Sequence, residues 1–187
     1  KIVQSNLYRL SRYQPWQLVE HMDLFSDEER LAITQFFYGW AESEEGWQHV
    51  ANCRRVQTPK FPRQNHELIP ALTLMYTAQY FETHFPDVAG PDHWRSVGHR
   101  VFEPYGSSWK PLCDGLCHGW WMSQPVMLEY ALLDQSHRYF EEGGARLAAE
   151  CAMAVINNSG WLPTAGDCDL RRQFPGPSLR IAAAYYG

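Results

Sequence analysis

Asn65-His66-Glu67-Leu68-Ile69-Pro70-Ala71-Leu72-Thr73-Leu74-Met75-Tyr76-Thr77-Ala78-Gln79-Tyr80-Phe81-Glu82-Thr83-His84-Phe85 is almost free of charge beyond its first turn and reads as one long helix. Its apolar residues do not keep to one face, and a helix that is apolar all round must be covered on all sides. Upstream, Pro59 and Pro62 hold the approach extended. Pro70 falls in what reads as the first turn, where a missing N–H is tolerated. An amide (Asn65) and an imidazole (His66) therefore stand where free backbone N–H groups and the positive end of the helix dipole gather, a place suited to an anionic ligand. The plainer reading is an N-cap asparagine followed by an ordinary first-turn histidine.

Outward from that stretch the chain reads as further helices. Ser26-Asp27-Glu28-Glu29 is a capping box opening a helix that carries Leu31, Ile33, Phe36, Phe37 and Trp40. The residues before it read as irregular, residues 42–50 as a short helix or a continuation, and residues 54–63 as a loop. A more polar helix is expected over 92–102, an apolar one over about 118–133, and an amphipathic one over 145–157 with Leu147, Cys151, Ala154 and Val155 on one side. A last helix runs from Ser178 towards Gly187. No strand-like alternation or hairpin signal is present.

Apolar helices thus begin near residues 66, 118 and 178, each preceded by a polar Pro/Gly-rich loop and followed by an amphipathic return. Covered helices make an inner layer and one-faced helices an outer one, so the expected fold is all-α, an incomplete α/α toroid of helical hairpins. In such a toroid the loops entering the inner helices open on one face. They are Arg63-Gln64-Asn65-His66, Asp114-Gly115-Leu116-Cys117-His118-Gly119-Trp120-Trp121 and Gly166-Asp167-Cys168-Asp169, and they hold the conspicuous polar residues. Asn65, His66, His118 and Asp167 are expected on one rim. Too few hairpins are present to close a ring, so residues 1–187 are expected to form part of one toroid catalytic domain that continues beyond the chain end.

Composition narrows the partners. The net charge is −5 with no basic run, which gives no footprint for nucleic acid. No apolar stretch reaches the length of a membrane span. Lys1-Ile2-Val3-Gln4 reads as a protein interior or a processed start, without a signal peptide. With 8 Trp, 10 Tyr and 9 Phe, the chain has aromatic side chains to spare for a thick helical core or for stacking on sugar rings. The five cysteines are an odd number for a disulfide framework. Cys113-x3-Cys117-His118, with Asp114 inside it, is half a metal site without a second half, because Cys151 and Cys168 have no histidine near them. The cysteines therefore read as buried or loop thiols, and no metal is expected.

The Asn65-His66 pair on an apolar helix and the Gly-rich polar loop one hairpin later resemble the heparinase II/III-like and alginate-lyase polysaccharide lyases. The stretch Asn157-Asn158-Ser159-Gly160-Trp161-Leu162-Pro163-Thr164-Ala165-Gly166-Asp167 fits the same group, and the resemblance covers about residues 60–187. It implies β-elimination on a uronic-acid-containing polysaccharide without a cofactor, by a bacterial-type periplasmic or secreted protein. By resemblance Asn65 binds the uronate carboxylate, and His66 neutralises it or acts as base. The family's acid is a tyrosine in the second inner-helix loop, but residues 113–122 contain none. His118 is the substitute, an imidazole able to relay a proton near neutral pH, and Tyr105 is a second donor from the preceding loop. Arg63, Gln64, Trp120, Trp121 and Asp167 would contact substrate.

Each of these residues also has a structural reading. His118, Asp167 and Asp169 are competent helix caps, Trp120 and Trp121 competent core residues, and His84, His93, His99 and His137 solvated residues of outer or terminal turns. Two other functions fit the same sequence. One is a toroidal glycoside hydrolase drawing a carboxylate pair from Asp114, Glu129, Asp167 and Asp169. The other is a non-catalytic helical carbohydrate- or protein-binding module.

Overall fold

The computed structural model describes residues 14–43, 65–103, 124–135, 137–163 and 174–187, with the backbone alone for residues 14, 15, 17, 65–67 and 177. Of the described residues 77% are helical and none lies in a strand, which establishes the all-α class. The helices are α1 (Gln14–His21), α2 (Asp27–Glu42), α3 (Asn65–His84), α4 (Pro91–Phe102), α5 (Gln124–Asp134), α6 (Arg138–Glu141), α7 (Gly144–Val155) and α8 (Gly176–Tyr186). The chain divides into two compact units. The first holds α1, α2, α3 from Ile69 onward and α4 as far as Val101; the second holds residues 65–68, Phe102 and α5 to α8.

In the first unit α3 is the core. From Leu68 to Ala78 every side chain except those of Pro70 and Tyr76 is buried. Because successive residues turn by about 100°, consecutive burial means cover on all sides. Two threonines inside this run dispose of their hydroxyls locally: Thr73 donates to the Ile69 carbonyl (3.0 Å) and Thr77 to the Thr73 carbonyl (2.8 Å). Pro70 is the sixth residue of α3 rather than a first-turn residue, so it withholds the N–H that the His66 carbonyl would accept. Helix starts are set by capping as much as by proline, and here the first turn forms ahead of Pro70.

Segment 14–21, expected to be irregular, is helical. Pro15 sits at its second position, where proline is preorganised, and Trp16 and Val19 form one buried stripe. Trp16 stacks on Tyr80 (centroids 4.0 Å) and its indole N–H donates to Thr77 Oγ1 (3.2 Å). Residue 16 meets 77 and 80 while residue 20 meets 84, so α1 and α3 run parallel with their C-termini together.

The Ser26 capping box forms as expected. Ser26 Oγ accepts from the Glu29 N–H (3.3 Å), and Glu29 Oε2 accepts from the Ser26 N–H (2.9 Å). On α2, Thr34, Phe37 and Ala41 are buried, whereas Leu31 and Phe36 are exposed. Residues 34, 37 and 41 share one face at helical spacing. On α4, Trp94, Val97 and Val101 are buried at the same spacing, and Trp94 Nε1 donates to Glu42 Oε1 (3.0 Å). Gly98 brings α4 so close to α3 that a Cβ there would collide with Met75.

In the second unit α5 is the covered helix, with Gln124, Val126, Met127, Leu128, Tyr130 and Ala131 buried. Phe102 stacks flat on Tyr130 (4.1 Å, 12°). Tyr139 of α6 and Gln124 of α5, both buried, exchange hydrogen bonds: the amide Nε2 donates to the hydroxyl (2.7 Å), which donates to Oε1 (3.0 Å). The amphipathic face of α7 is not the expected one. Its buried stripe is Gly144, Ala145, Ala148 and Ala152, with Cys151 and Val155 partly buried beside it, while Leu147 and Ala154 are exposed. On α8 Gly176 and Ala182 are buried; Ile181, Tyr185 and Tyr186 are exposed, although Tyr185 stacks on Phe140 (4.4 Å) and Tyr186 donates to the Phe140 carbonyl (2.6 Å).

Candidate functional site

Asn65 and His66 are the first two residues of α3, so the pair stands at the N-terminal end of a helix that is covered almost all round from Leu68 to Ala78. The opening N–H groups of a helix have no partner four residues back and carry the positive end of its dipole. That end can hold a carboxylate. Arg63, Gln64, Tyr105, His118, Trp120, Trp121 and Asp167 lie outside the described residues, as do Cys113, Asp114, Cys117, Cys168 and Asp169. The single-rim arrangement of Asn65, His66, His118 and Asp167 therefore rests on the sequence.

Among the described carboxylates of the hydrolase alternative, Glu129 stands half-buried on the otherwise apolar α5. Its neighbour Tyr130 is the one tyrosine of that helix. Burial, followed by the nearby Asp134 carboxylate, raises its pKa, so Tyr130 stays protonated and cannot serve as a base. No three His, Cys, Asp or Glu side chains among the described residues are grouped so as to hold a metal ion. No helix among them is long and apolar enough to cross a membrane.

A second feature lies wholly in the first unit and escaped the sequence reading. Trp16, Glu20 and His21 of α1 and Tyr76, Gln79, Tyr80 and Thr83 of α3 line an open groove of about 220 Å³. At its rim Glu20 Oε1 lies 2.7 Å from His84 Nε2, and the His84 ring sits 4.7 Å from that of Tyr80. His84, read from sequence as a solvated residue, is thus one half of a carboxylate–imidazole pair. The available signal was the spacing of Trp16, Val19 and Glu20 behind Pro15, which makes one helical face out of a segment read as irregular.

Comparison of the chain with protein-family models, with curated proteins and with solved structures yields no match.

Proposed function

We propose that the chain belongs to a β-eliminating polysaccharide lyase of the α/α-toroid type, secreted or periplasmic, acting on a uronic-acid-containing polysaccharide. The observation that carries this reading is the position of Asn65 and His66 on the opening turn of the covered helix α3. The helix order supports it further: covered α3 is followed by one-faced α4, and covered α5, after short α6, by one-faced α7. That is the alternation of inner and outer helices that a toroid of hairpins needs.

The chemistry follows from the carbon acid. The C5–H of a uronate is acidic only if the charge developing on the adjoining carboxylate is neutralised. In this reading Asn65 donates to the carboxylate beside the α3 N–H groups, and His66 neutralises it or removes the C5 proton. The C5–H electron pair becomes the C4–C5 double bond, the C4–O bond breaks, and the departing oxygen takes a proton from His118 or Tyr105.

The test is incubation with polysaccharides of glucuronate, mannuronate, guluronate and iduronate. A lyase product carries the C4–C5 double bond and absorbs in the ultraviolet. New reducing ends without that absorbance would mark a hydrolase, and saturable binding without any product would mark a binding module.

A further inference from the structure

We propose that the groove between α1 and the C-terminal half of α3 binds a small organic cation, a primary or quaternary ammonium. Two observations point to that chemistry. The lining joins one carboxylate, Glu20, to the rings of Tyr76 and Tyr80, and an ammonium group is held by a carboxylate and by aromatic faces together. Helices α1 and α3 run parallel and end side by side at His21 and His84, so the negative ends of both dipoles fall at the groove and favour positive charge there. Glu20 Oε1 lies 2.7 Å from His84 Nε2, so an ammonium group binds by taking that ring nitrogen's place on the carboxylate. Of the other polar groups, the Thr83 hydroxyl is spent on the Gln79 carbonyl (2.8 Å) and the Tyr80 hydroxyl bonds to Thr34 Oγ1 (3.3 Å), while His21 and Gln79 complete the lining.

Size selects the ligand within that class. The volume of about 220 Å³ equals about seven waters at ~30 Å³ each, and lies below the about 300–1,000 Å³ of sites for drug-sized ligands. A single ammonium group with a short polar tail fits; an oligosaccharide does not. No cluster of three metal-ligating side chains is present among the described residues, so the donor set matches an organic cation rather than a metal ion. Trp16 is only 2% exposed and backs the groove from beneath Tyr80, which makes its fluorescence a reporter.

The experiment titrates the protein with choline and with its neutral carbon isostere, in which a tert-butyl group replaces the trimethylammonium. Tyrosine ring NMR shifts follow binding, as does tryptophan fluorescence compared with that of Trp16→Phe, which separates Trp16 from the chain's other tryptophans. Choline is expected to saturate, with the isostere at least about tenfold weaker, a difference of about 1.4 kcal/mol. Glu20→Gln is expected to weaken choline by at least about tenfold and to leave the isostere unchanged, and Tyr76→Leu to weaken choline as well. Glu20 is partly exposed, so its variant tests the site even if Tyr76→Leu does not fold. Equal affinities for the two probes, unchanged choline binding in Glu20→Gln, or no saturation by either probe would overturn the proposal.

Discussion

Tyr139→Phe removes one oxygen from the second unit and leaves the shape of the core nearly unchanged. In the folded protein that hydroxyl lies 2.7 Å from the Nε2 and 3.0 Å from the Oε1 of Gln124, and both residues are 2% exposed. Water cannot replace the lost partner without opening the contact between α5 and α6. The cost is therefore the desolvation of an unpaired buried amide, about 1–3 kcal/mol, and not the smaller net worth of one hydrogen bond. For a chain of this size about 1 kcal/mol lowers the melting temperature by roughly 2–4 °C, so the single variant is expected to melt about 2–12 °C lower. Gln124→Met strands the tyrosine hydroxyl in the same way. In the double variant neither buried group is left facing an absent partner. The double loss is therefore expected to fall short of the sum of the single losses by at least about 1 kcal/mol. Urea unfolding of the four proteins measures it. Losses that add to within about 0.5 kcal/mol would refute the reasoning, because they would mean the two groups do not depend on each other.

Further predictions concern turns, caps and the groove. Gly90 has φ +128°, and a Cβ there would lie 2.7 Å from Trp94 Cζ2 and 2.9 Å from Glu42 Oε1; Gly143 has φ +88° with nothing within 4 Å. Gly143→Ala is therefore expected to cost the backbone strain alone, about 1–2 kcal/mol, and Gly90→Ala clearly more, with equal losses in thermal melts counting against the Glu42–Trp94–Gly90 packing. The Glu29 carboxyl is held below its ordinary value of 4.5, first by the Ser26 backbone N–H and then by its hydroxyl. A depressed folded-state pKa adds stability above the unfolded value and loses it as pH falls through the folded value. The melting temperature of the wild type is thus expected to exceed that of Glu29→Gln near neutral pH and to converge with it as the pH falls below the ordinary carboxyl value and through the lowered folded-state one. A gap independent of pH would contradict the capping box as the cause. The charge selectivity expected of the Glu20 groove, choline over its neutral isostere, is read by the titration described above.

Much of this fold was legible because helices announce themselves through period and caps. The Ser26 box, the charge-poor run after Asn65 and the covered stretch 126–131 each state in local sequence what the structure contains. Errors fell where local sequence admits two faces. Leu147 looks like a core residue of α7, yet the buried side is Ala145, Ala148 and Ala152. Segment 14–21 is short and gains its order from Trp16 packing on residues more than sixty positions away, a contact that no local window contains. For the same reason the Glu20–His84 pair was hidden: its halves are 64 residues apart. Pro70 misled by one turn, since proline restricts a helix start without fixing it.

The central claim is that Asn65 and His66 hold a uronate carboxylate as its C5 proton leaves. The most direct measurement is ultraviolet product formation from an accepted acidic polysaccharide by the wild type, Asn65→Ala and His66→Ala, with melting temperatures alongside. Loss of one preorganised donor to a developing charge costs about 2.7–4 kcal/mol of barrier, so Asn65→Ala is expected to be about 10²–10³-fold slower and His66→Ala at least as slow. Both are expected to lose no more than the about 1 kcal/mol of stability that a helix cap is worth. Normal turnover in His66→Ala, with only a small drop in melting temperature, would contradict the account and leave Asn65 and His66 as ordinary first-turn residues of α3.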